Sequence, residues 1–440
     1  MLSDHMQYIL ANMEDAVLLT GSGGKVLFAN PAADKLFGLD VRGRDRLWDA
    51  IPYVEENDAF IQLFIDGGTE RKKSFHSLVD YVNLEGKRFK LHVTLTCQSE
   101  DDNFALIVIH DLTSLFKVHS AFERYTSPEI ADYVLTAPGG EKQGGREADV
   151  SVLMSDLRGF TAMSTRISSE NLITMLNHYF EIMAAVIKKY QGTIIEFLGD
   201  GLFVVFGAPQ SMPEHAEAAV SCAIEMQNAM TEVNAWNREN GYPDLEMGIG
   251  INSGPAVVGN IGSEHKMKYG CMGETVNLAG RLESLSLGGE VCIADRTRKK
   301  IPGEVKILKE SRFMPKGGKE EMKYYVVAGI DGGMTLAGAS EKKRWRTLPK
   351  EKELVFFLLD GKTVDPEPHA GTLTGVTEDE KFCLLSAEYP LQPLQNLMLR
   401  IRGPEAYAKV TERGPDGYII GFTMKPEGFS DLLAAGDAND

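Results

Sequence analysis

Two aspartates stand where a metal-dependent reaction at phosphorus would need them. Residues 150–154 form an apolar run that predicts a strand, and Asp156 follows directly after it. Asp200 lies in a tight turn with glycines on both sides, between two further apolar runs, and this pattern predicts the tip of a β-hairpin. Two carboxylates at neighbouring strand ends suit a pair of Mg²⁺ or Mn²⁺ ions, which sit about 3.5–4 Å apart in such sites. The chemistry they would support is an in-line displacement at phosphorus.

The segment after Asp156 predicts a phosphate-binding element. Residues 157–161 lead into a helix, and the free N–H groups at the start of a helix attract phosphate oxygens. We therefore predict that Phe160 and Thr161 bind the substrate and that Leu157 belongs to the metal site beside Asp156 and Asp200.

The elements around these residues follow the order strand, helix, strand, strand, helix, strand. The strands are predicted at 150–154, 193–197, 202–206 and 245–251, one helix covers 172–190, and a second starts at Pro213. This order predicts an antiparallel sheet with helices on one face, as in ferredoxin-like folds and polymerase palms. In that architecture the end of the first strand and the hairpin tip are neighbours, so the two aspartates would lie side by side.

Four segments in this part of the chain carry a specific resemblance. "DLRGFT", "EFLGDGLFVVFG", "GIGINSGPAVVGNIGS" and "YGCMGETVNLAGRLE" occur in that order, and the region from about residue 149 to 327 resembles the catalytic domain of class III nucleotidyl cyclases. The resemblance implies a head-to-tail homodimer with two active sites at the interface and two Mg²⁺ or Mn²⁺ ions in each site.

The resemblance also implies a role for individual residues. One chain would contribute the metal-binding Asp156 and Asp200, and its partner would contribute Asn277, which orients the ribose, and Arg281, which stabilises charge at the α-phosphate. Lys316 matches the family's lysine near the terminal phosphates. Because all these positions are filled, we expect an active enzyme.

The purine is predicted from two further positions, Glu196 and Gly270. Adenylyl cyclases of the family carry Lys at the first position and Asp or Thr at the second. A carboxylate only accepts hydrogen bonds, so Glu196 suits guanine N1–H and N2–H₂ and opposes the acceptor N1 of adenine. Gly270 has no side chain for guanine O6, which leaves a backbone N–H or the neighbouring Cys271. We predict GTP as the substrate, with incomplete exclusion of ATP. The alternatives are an adenylyl cyclase with an altered purine pocket and a non-catalytic signalling scaffold.

Residues 1–113 predict a small α/β domain. Runs at 16–20 and 25–29 flank a glycine-rich turn, and Asn30-Pro31 then opens a short helix. Two strands follow at 89–97 and 104–109. The segment "DAVLLTGSGGKVLFANPAADKLFG" resembles a PAS sensor domain. The sequence indicates no cofactor for this domain and does not identify its ligand.

Residues 114–146 predict a helical signalling linker between the sensor and catalytic domains. Ser127-Pro128 is typical of the start of a second helix. The apolar spacing of the first helix favours a two-chain coiled coil, and residues 136–146 predict a flexible linker.

Residues 340–425 predict a small all-β, barrel-like domain. Five apolar runs, at 354–359, 382–386, 397–401, 407–410 and 418–423, alternate with turn residues. The pattern weakly resembles PilZ barrels, which bind cyclic di-GMP, but their ligand motifs are absent. We therefore predict a structural or protein-contact domain without cyclic di-GMP binding, followed by a disordered tail after about Leu433.

Composition limits the remaining possibilities. The 440 residues carry a net charge of −17, with 43% hydrophobic and 25% charged residues, which is typical of a folded globular protein. The predicted elements and the resemblances above make it a multidomain protein of α+β class. The negative charge argues against nucleic acid or an anionic membrane as a partner. No apolar run reaches the roughly 18 residues that span a bilayer, and the first residues lack a secretory pattern. Five scattered cysteines form no zinc motif, so we expect reduced thiols and a cytoplasmic protein.

Overall fold

The computed structural model describes residues 4–69, 74–97, 104–314, 320–337, 344–360, 363–414, 417–426 and 428–434. The chain divides into two compact units, Met1–Tyr125 and Thr126–Asp440. The second unit contains both the region with the two aspartates and the predicted C-terminal domain.

The N-terminal unit is built on a five-stranded antiparallel sheet in the order β2-β1-β5-β4-β3. Its strands are β1 (Ala16–Thr20), β2 (Val26–Ala29), β3 (Phe75–Val82), β4 (Arg88–Cys97) and β5 (Ala105–Asp111), and its helices are α1 (Asp4–Ala11), α2 (Pro31–Phe37), α3 (Asp58–Thr69) and α4 (Thr113–Thr126). Buried Asn30 caps α2, because its side chain accepts the N–H of Ala33 at 3.0 Å and that of Val17 at 3.0 Å. The predicted hairpin and the Asn-Pro helix start are confirmed.

Helix α5 (Pro128–Thr136) begins the second unit, and Ser127 caps it by accepting the N–H of Ile130. This confirms the predicted helix start. The predicted flexible linker is wrong at its end, since residues 144–146 already belong to a strand. The turn before it is held by Asn260, whose amide donates to the carbonyl oxygens of Gly140 and Lys142.

The centre of the second unit is an eight-stranded sheet in the order β12-β13-β11-β9-β6-β8-β7, with β10 paired to β9. Its strands are β6 (Gly144–Leu157), β7 (Thr193–Leu198), β8 (Gly201–Phe206), β9 (Met247–Ser263), β10 (Lys266–Met272), β11 (Val291–Ala294), β12 (Val305–Phe313) and β13 (Met322–Ile330). The helices between them are α6 (Phe160–Ser164), α7 (Ser169–Lys189), α8 (His215–Glu239), α9 (Glu274–Leu285) and α10 (Asp295–Lys300). The predicted strand–helix–strand–strand–helix–strand order is confirmed in β6-α7-β7-β8-α8-β9.

Helices pack on both faces of this sheet, and not on one face as the sequence predicts. Alternate residues of β11 belong to two different apolar clusters: Val291 and Ile293 pack with α7 and α8, whereas Cys292 packs with α9. Glycines in β9 allow α9 to approach, because a Cβ at Gly250 would collide with the backbone of Glu283. Helix α9 can therefore lie directly against the strand that pairs with β6.

The C-terminal domain is a closed six-stranded barrel, since β14 pairs with both β16 and β18. Its strands are β14 (Trp345–Asp360), β15 (Thr363–Val364), β16 (His369–Thr377), β17 (Phe382–Ser386), β18 (Asn396–Arg400), β19 (Glu405–Gly414) and β20 (Gly417–Met424), followed by α11 (Phe429–Ala434). The short β15 lies outside the closed ring. The all-β, barrel-like prediction is confirmed, and residues 435–440 of the predicted disordered tail lie outside the described residues.

Among the helices of the described residues, none is both long and apolar enough to cross a membrane.

Candidate active site

The two predicted metal-binding aspartates are brought together at one edge of the central sheet. Asp156 is the second-last residue of β6, and Asp200 occupies the turn between β7 and β8. Gly201 allows this approach, because a Cβ there would collide with the Ser155 carbonyl and lie 3.3 Å from Asp156 Oδ1. The hairpin tip therefore closes onto the end of β6.

The electrostatics of this pair favour a bound cation. Burial, followed by the negative charges of Asp200 and Glu283, raises the pKa of Asp156 to about 7. Burial also raises the pKa of Asp200, although backbone hydrogen bonds from Leu157 and from Asp200 itself oppose the shift. The surrounding protein therefore does not fully compensate the negative charge of either carboxyl group when it ionises. Divalent ions would supply the missing positive charge, so these residues fit a metal site.

The remaining metal ligands must come from outside this cluster. Within the described residues there is no group of three or more His, Cys, Asp or Glu side chains arranged to hold a metal. The two carboxylates, with Leu157 next to Asp156 in the chain, would leave ligand positions for the phosphate oxygens of a nucleotide, as is usual for Mg²⁺.

Arg158 contacts the end of the sheet that carries Asp156 and Asp200, which we call the metal end. The sequence analysis did not assign this arginine a role. Its Nη2 donates to Glu283 Oε1 at 2.5 Å, to the Glu283 carbonyl at 2.8 Å and to Ser286 Oγ at 2.9 Å. Its Nη1 lies 3.7 Å from Asp156 Oδ2, and the side chain is only 10% exposed. Arg158 therefore links the end of β6 to α9. The available signal was a charged residue inside the "DLRGFT" segment.

The predicted phosphate-binding residues follow this arginine. Gly159 has a φ of +68°, and α6 begins at the next residue. Phe160 packs on the main apolar cluster, whereas Thr161 is exposed. The turn therefore places a short helix start directly after the metal end.

The predicted ribose and α-phosphate residues lie on the outward face of α9. Asn277 and Arg281 are exposed, and Leu278 and Leu282 face the apolar clusters of the core. In the part of the chain that the structure describes, no hydrogen bond or ion pair joins Asn277 or Arg281 to the aspartates. Within a single chain, Asn277 and Arg281 thus make no contact of this kind with the two aspartates.

The predicted purine position contains an ion pair. Glu196 Oε2 on β7 pairs with Lys268 Nζ on β10, and the two side chains are 45% and 49% exposed. Because side chains alternate along a strand, Lys268 and Gly270 share one face of β10 and Cys271 lies on the other. Cys271 packs in an apolar cluster, and burial raises the pKa of its thiol to about 11. The structure therefore brings Glu196 to Lys268 and not to Cys271.

Lys316, the predicted phosphate-binding lysine, lies outside the described residues.

The C-terminal barrel packs against the metal end, which the sequence analysis did not predict. The buried Lys409 of β19 donates a hydrogen bond to the carbonyl of Ser284 in α9. Met424 of β20 packs over Gly159, where a Cβ would lie 2.8 Å from the Met424 side chain. The barrel therefore contacts both the helix that carries Asn277 and the turn that follows Asp156.

Comparison with known families agrees with this arrangement. Residues 143–329 match the model of the adenylate and guanylate cyclase catalytic domain, and residues 5–73 match a PAS domain model. The chain belongs to the class III nucleotidyl cyclases and carries an N-terminal PAS domain.

The similar proteins, curated relatives and solved structures together, include both adenylyl and guanylyl cyclases. Adenylate cyclase 1 of Rhizobium meliloti (strain 1021) is 33% identical over 192 residues, which is 42% of this chain and 29% of that protein. The uncharacterized protein Rv1318c of Mycobacterium tuberculosis (strain ATCC 25618 / H37Rv) is 28% identical over 170 residues, 39% of this chain and 30% of that protein. The chain thus spans under a third of the length of these curated relatives.

Two solved structures match along their whole length. The guanylyl cyclase Cya2 is 44% identical, with a TM-score of 0.43, and covers 44% of this chain and 100% of its own. The adenylyl cyclase CyaB from P. aeruginosa is 34% identical, with a TM-score of 0.41, and covers the same shares.

Proposed function

We propose that the chain is a PAS-regulated guanylyl cyclase, which converts GTP to cyclic GMP and pyrophosphate at a homodimer interface. The observation that carries this proposal is the half-exposed carboxylate of Glu196 beside Lys268, and we call these two residues the purine end of the site. Its oxygens accept hydrogen bonds, and the guanine edge offers two donors, N1–H and N2–H₂. Adenine would instead place its acceptor N1 against the same carboxylate.

The reaction follows from the groups at the metal end. Asp156, Asp200 and the Leu157 carbonyl would hold two Mg²⁺ or Mn²⁺ ions, which when bound lower the pKa of the ribose 3′-hydroxyl and neutralise charge on the phosphates. Arg158 keeps Asp156 and α9 in fixed positions. Arg281 donates to the α-phosphate oxygens as negative charge grows there, and Asn277 orients the ribose. The 3′-hydroxyl loses its proton to solvent, its oxygen bonds to the α-phosphorus, and the bond to pyrophosphate breaks.

The exposed apolar side chains support a homodimer. Phe197 and Leu198, next to Asp200, are 50% and 48% exposed, and Met272, near Gly270, is 52% exposed. Large apolar side chains around a polar site are typical of a surface that another chain covers. A second copy would also bring the outward Asn277 and Arg281 to the aspartates of its partner.

Helix α4 supports a regulatory coupling between two copies. Leu115 and Val118 are 62% and 68% exposed, and none of the α4 residues, all of which the structure describes, is buried. A coiled coil through α4 would cover this stripe and transmit a signal from the PAS domain. Cys222, Cys271, Cys292 and Cys383 are free thiols, which supports a reducing compartment such as the cytoplasm.

The test is nucleotide preference. Purified protein with Mn²⁺ is given GTP or ATP, and cyclic GMP and cyclic AMP are measured. We expect cyclic GMP to form faster, and we expect Glu196→Lys to lower the ratio of GTP to ATP turnover. Glu239→Lys makes the same charge change at the exposed end of α8 and should leave the ratio unchanged. Equal turnover of the two nucleotides by the native protein would contradict the proposal.

ATP is the second candidate substrate. The observation that favours it is the ammonium group of Lys268 beside Glu196, since an ammonium donates and adenine N1 accepts. The same assay separates the two candidates, and the absence of pyrophosphate release with either nucleotide would instead favour the non-catalytic scaffold.

A further inference from the structure

We propose that Lys409 of the C-terminal barrel is a positioning residue for the cyclase reaction. By holding the C-terminal end of α9, its ammonium fixes the place of Arg281 against the nucleotide. The inference rests on the proposed function, in which Arg281 of one chain acts on the nucleotide bound at the aspartates of the other.

The last turn of α9 is held from two domains. The last four carbonyl groups of a helix have no partner within it, and they carry partial negative charge. Arg158 of the catalytic domain donates to the carbonyl of Glu283 at 2.8 Å. Lys409 of the barrel donates to the next carbonyl along the helix, that of Ser284. Two cations, one from each domain, therefore fix the end of α9.

This end of the helix lies close to the residues that the reaction would use. Ser284 follows Arg281 by three residues, which is less than one helical turn. Asn277, Arg281 and Ser284 are all exposed and repeat at steps of four and three residues, so they share one stripe of α9. Hydrogen bonds join each backbone group of a helix to the fourth residue along, so neighbouring turns move together. A shift at Ser284 therefore shifts Arg281.

The burial of Lys409 makes stability alone a poor reason for a lysine at this position. The residue is 4% exposed. Burial, followed by the charge of Arg158, lowers its pKa to about 8, so the amine still carries its charge at neutral pH. A buried ammonium loses its hydration, and an apolar side chain of similar size would avoid that cost. A cation that satisfies the end of a catalytic helix gives the lysine a function.

The same part of the barrel contacts a second element of the site. Met424 on β20 packs over Gly159, and β20 pairs with β19, which carries Lys409. In the proposed head-to-tail dimer, the Gly159 turn and α9 of one chain belong to different active sites. The positioning effect of Lys409 should therefore be confined to the site that receives its own α9.

The experiment uses pairs of full-length variants, expressed together, whose mixed dimer retains one complete site. Asp200→Asn removes a metal ligand from one chain but leaves its α9 intact. Arg281→Ala produces the reverse defect in the other chain. Each variant alone should be nearly inactive, and the pair should recover cyclic GMP formation from the aspartates of the second chain and α9 of the first.

The placement of Lys409→Met in these pairs separates positioning from stability. In the Asp200→Asn chain it should lower kcat by about tenfold and leave KM for GTP nearly unchanged, because Arg281 acts on charge that develops in the transition state. In the Arg281→Ala chain it should leave turnover unchanged, which also shows that the variant folds and dimerises. Lys409→Arg keeps a cationic donor and should recover most of the loss. Equal losses in both placements, or no loss in either, would overturn the inference.

Lys309→Met is the matched control. Lys309 Nζ on β12 donates to the carbonyl of Thr411 on β19 at 3.5 Å, so it joins the same two domains through a contact that does not involve α9. This variant should keep kcat in either chain, and a loss as large as that of Lys409→Met would mean that domain docking in general sets turnover. A pair of chains that recovers no activity would instead contradict the shared site of the proposed function.

Discussion

The metal end and the purine end of the candidate site differ in how the chain holds their charges. At the metal end, the side chains of Arg158 and Glu283 are only 10% and 14% exposed, and Arg158 has three hydrogen-bond acceptors. At the purine end, Glu196 and Lys268 are about half-exposed and are joined by one ion pair. The first arrangement is built by the fold of one chain, whereas the second leaves its polar groups available to a ligand and a partner chain.

Burial explains why the two ends should respond differently to mutation. When one member of a partly buried charge pair is removed, its partner is left without a compensating charge and is only poorly hydrated. Exposed charges recover hydration, so their loss should alter recognition more than folding. We therefore expect loss of the buried Arg158 at the metal end to lower stability, and variants at the purine end to affect substrate preference alone.

The largest expected effect separates chemistry from folding at the metal end. Asp200→Asn should reduce cyclase turnover by about a thousandfold, because loss of a metal ligand removes several kcal/mol of transition-state stabilisation. The melting temperature of the metal-free protein should not fall, since burial already disfavours the ionised form of Asp200. Asp244→Asn, at an exposed acid paired with Arg238, is the control and should keep native turnover. Native turnover in Asp200→Asn would disprove the metal-binding role.

The next effect tests whether burial strengthens the arginine–carboxylate pair. Arg158→Met leaves Glu283 without its partner, and we expect it to lower the free energy of unfolding by about 3 kcal/mol, measured by urea denaturation. Arg238→Met removes an exposed partner of Asp244 and should cost less than about 1 kcal/mol. Adding Glu283→Met to Arg158→Met should recover part of the loss. If Arg158→Met and Arg238→Met lower the free energy of unfolding by the same amount, burial does not explain the difference between the metal end and the purine end.

The sequence predicted those parts of the site that local patterns specify. The strand before Asp156 and the glycine-flanked turn at Asp200 are visible in short segments, and their order along the chain was enough to place them together. Asn30-Pro31 and Ser127-Pro128 were equally clear, because capping uses only neighbouring residues. Strand β16 was missed, since Gly371 and Gly375 interrupt its apolar pattern.

The features that the sequence did not reveal depend on distant contacts. Lys268 gains significance only when the β9–β10 hairpin brings it to Glu196 on β7. Arg158 and Glu283 are far apart in the chain, and they meet because glycines in β9 admit α9. The contact between Lys409 and Ser284 requires the barrel to dock on the catalytic sheet. No local periodicity encodes these pairings.

A smaller effect concerns the pH dependence of metal binding. Because the pKa of Asp156 is raised to about 7, protons compete with the metal below that pH, and the half-saturating Mn²⁺ concentration should rise by up to about tenfold per pH unit. In metal-free protein the folded chain holds a proton on Asp156 that the unfolded chain, with an ordinary pKa of 3.8, has already released. Stability from this group is therefore greatest below pH 3.8 and is lost as the pH rises through about 7.

Thermal unfolding with a chelator checks this sign. Asp156→Asn should reduce the fall in melting temperature between pH 4 and pH 7, because the amide does not titrate, whereas Asp200, whose pKa is also raised, still does. A melting temperature that falls equally in the native protein and in Asp156→Asn would show that other groups cause the pH dependence.

The smallest effect concerns the pKa of Lys409, the barrel residue that contacts α9 near the metal end. Burial, followed by the positive charge of Arg158, lowers the pKa of Lys409 from 10.5 to about 8. Between these values the unfolded chain holds a proton that folded Lys409 has released, so stability should rise with pH across this window. Lys409→Met should abolish the rise, and Lys381→Met, at an exposed lysine of the same barrel, should preserve it. A rise that persists in Lys409→Met would mean that the lysine is hydrated in solution and that the barrel contact with α9 is looser than its burial indicates.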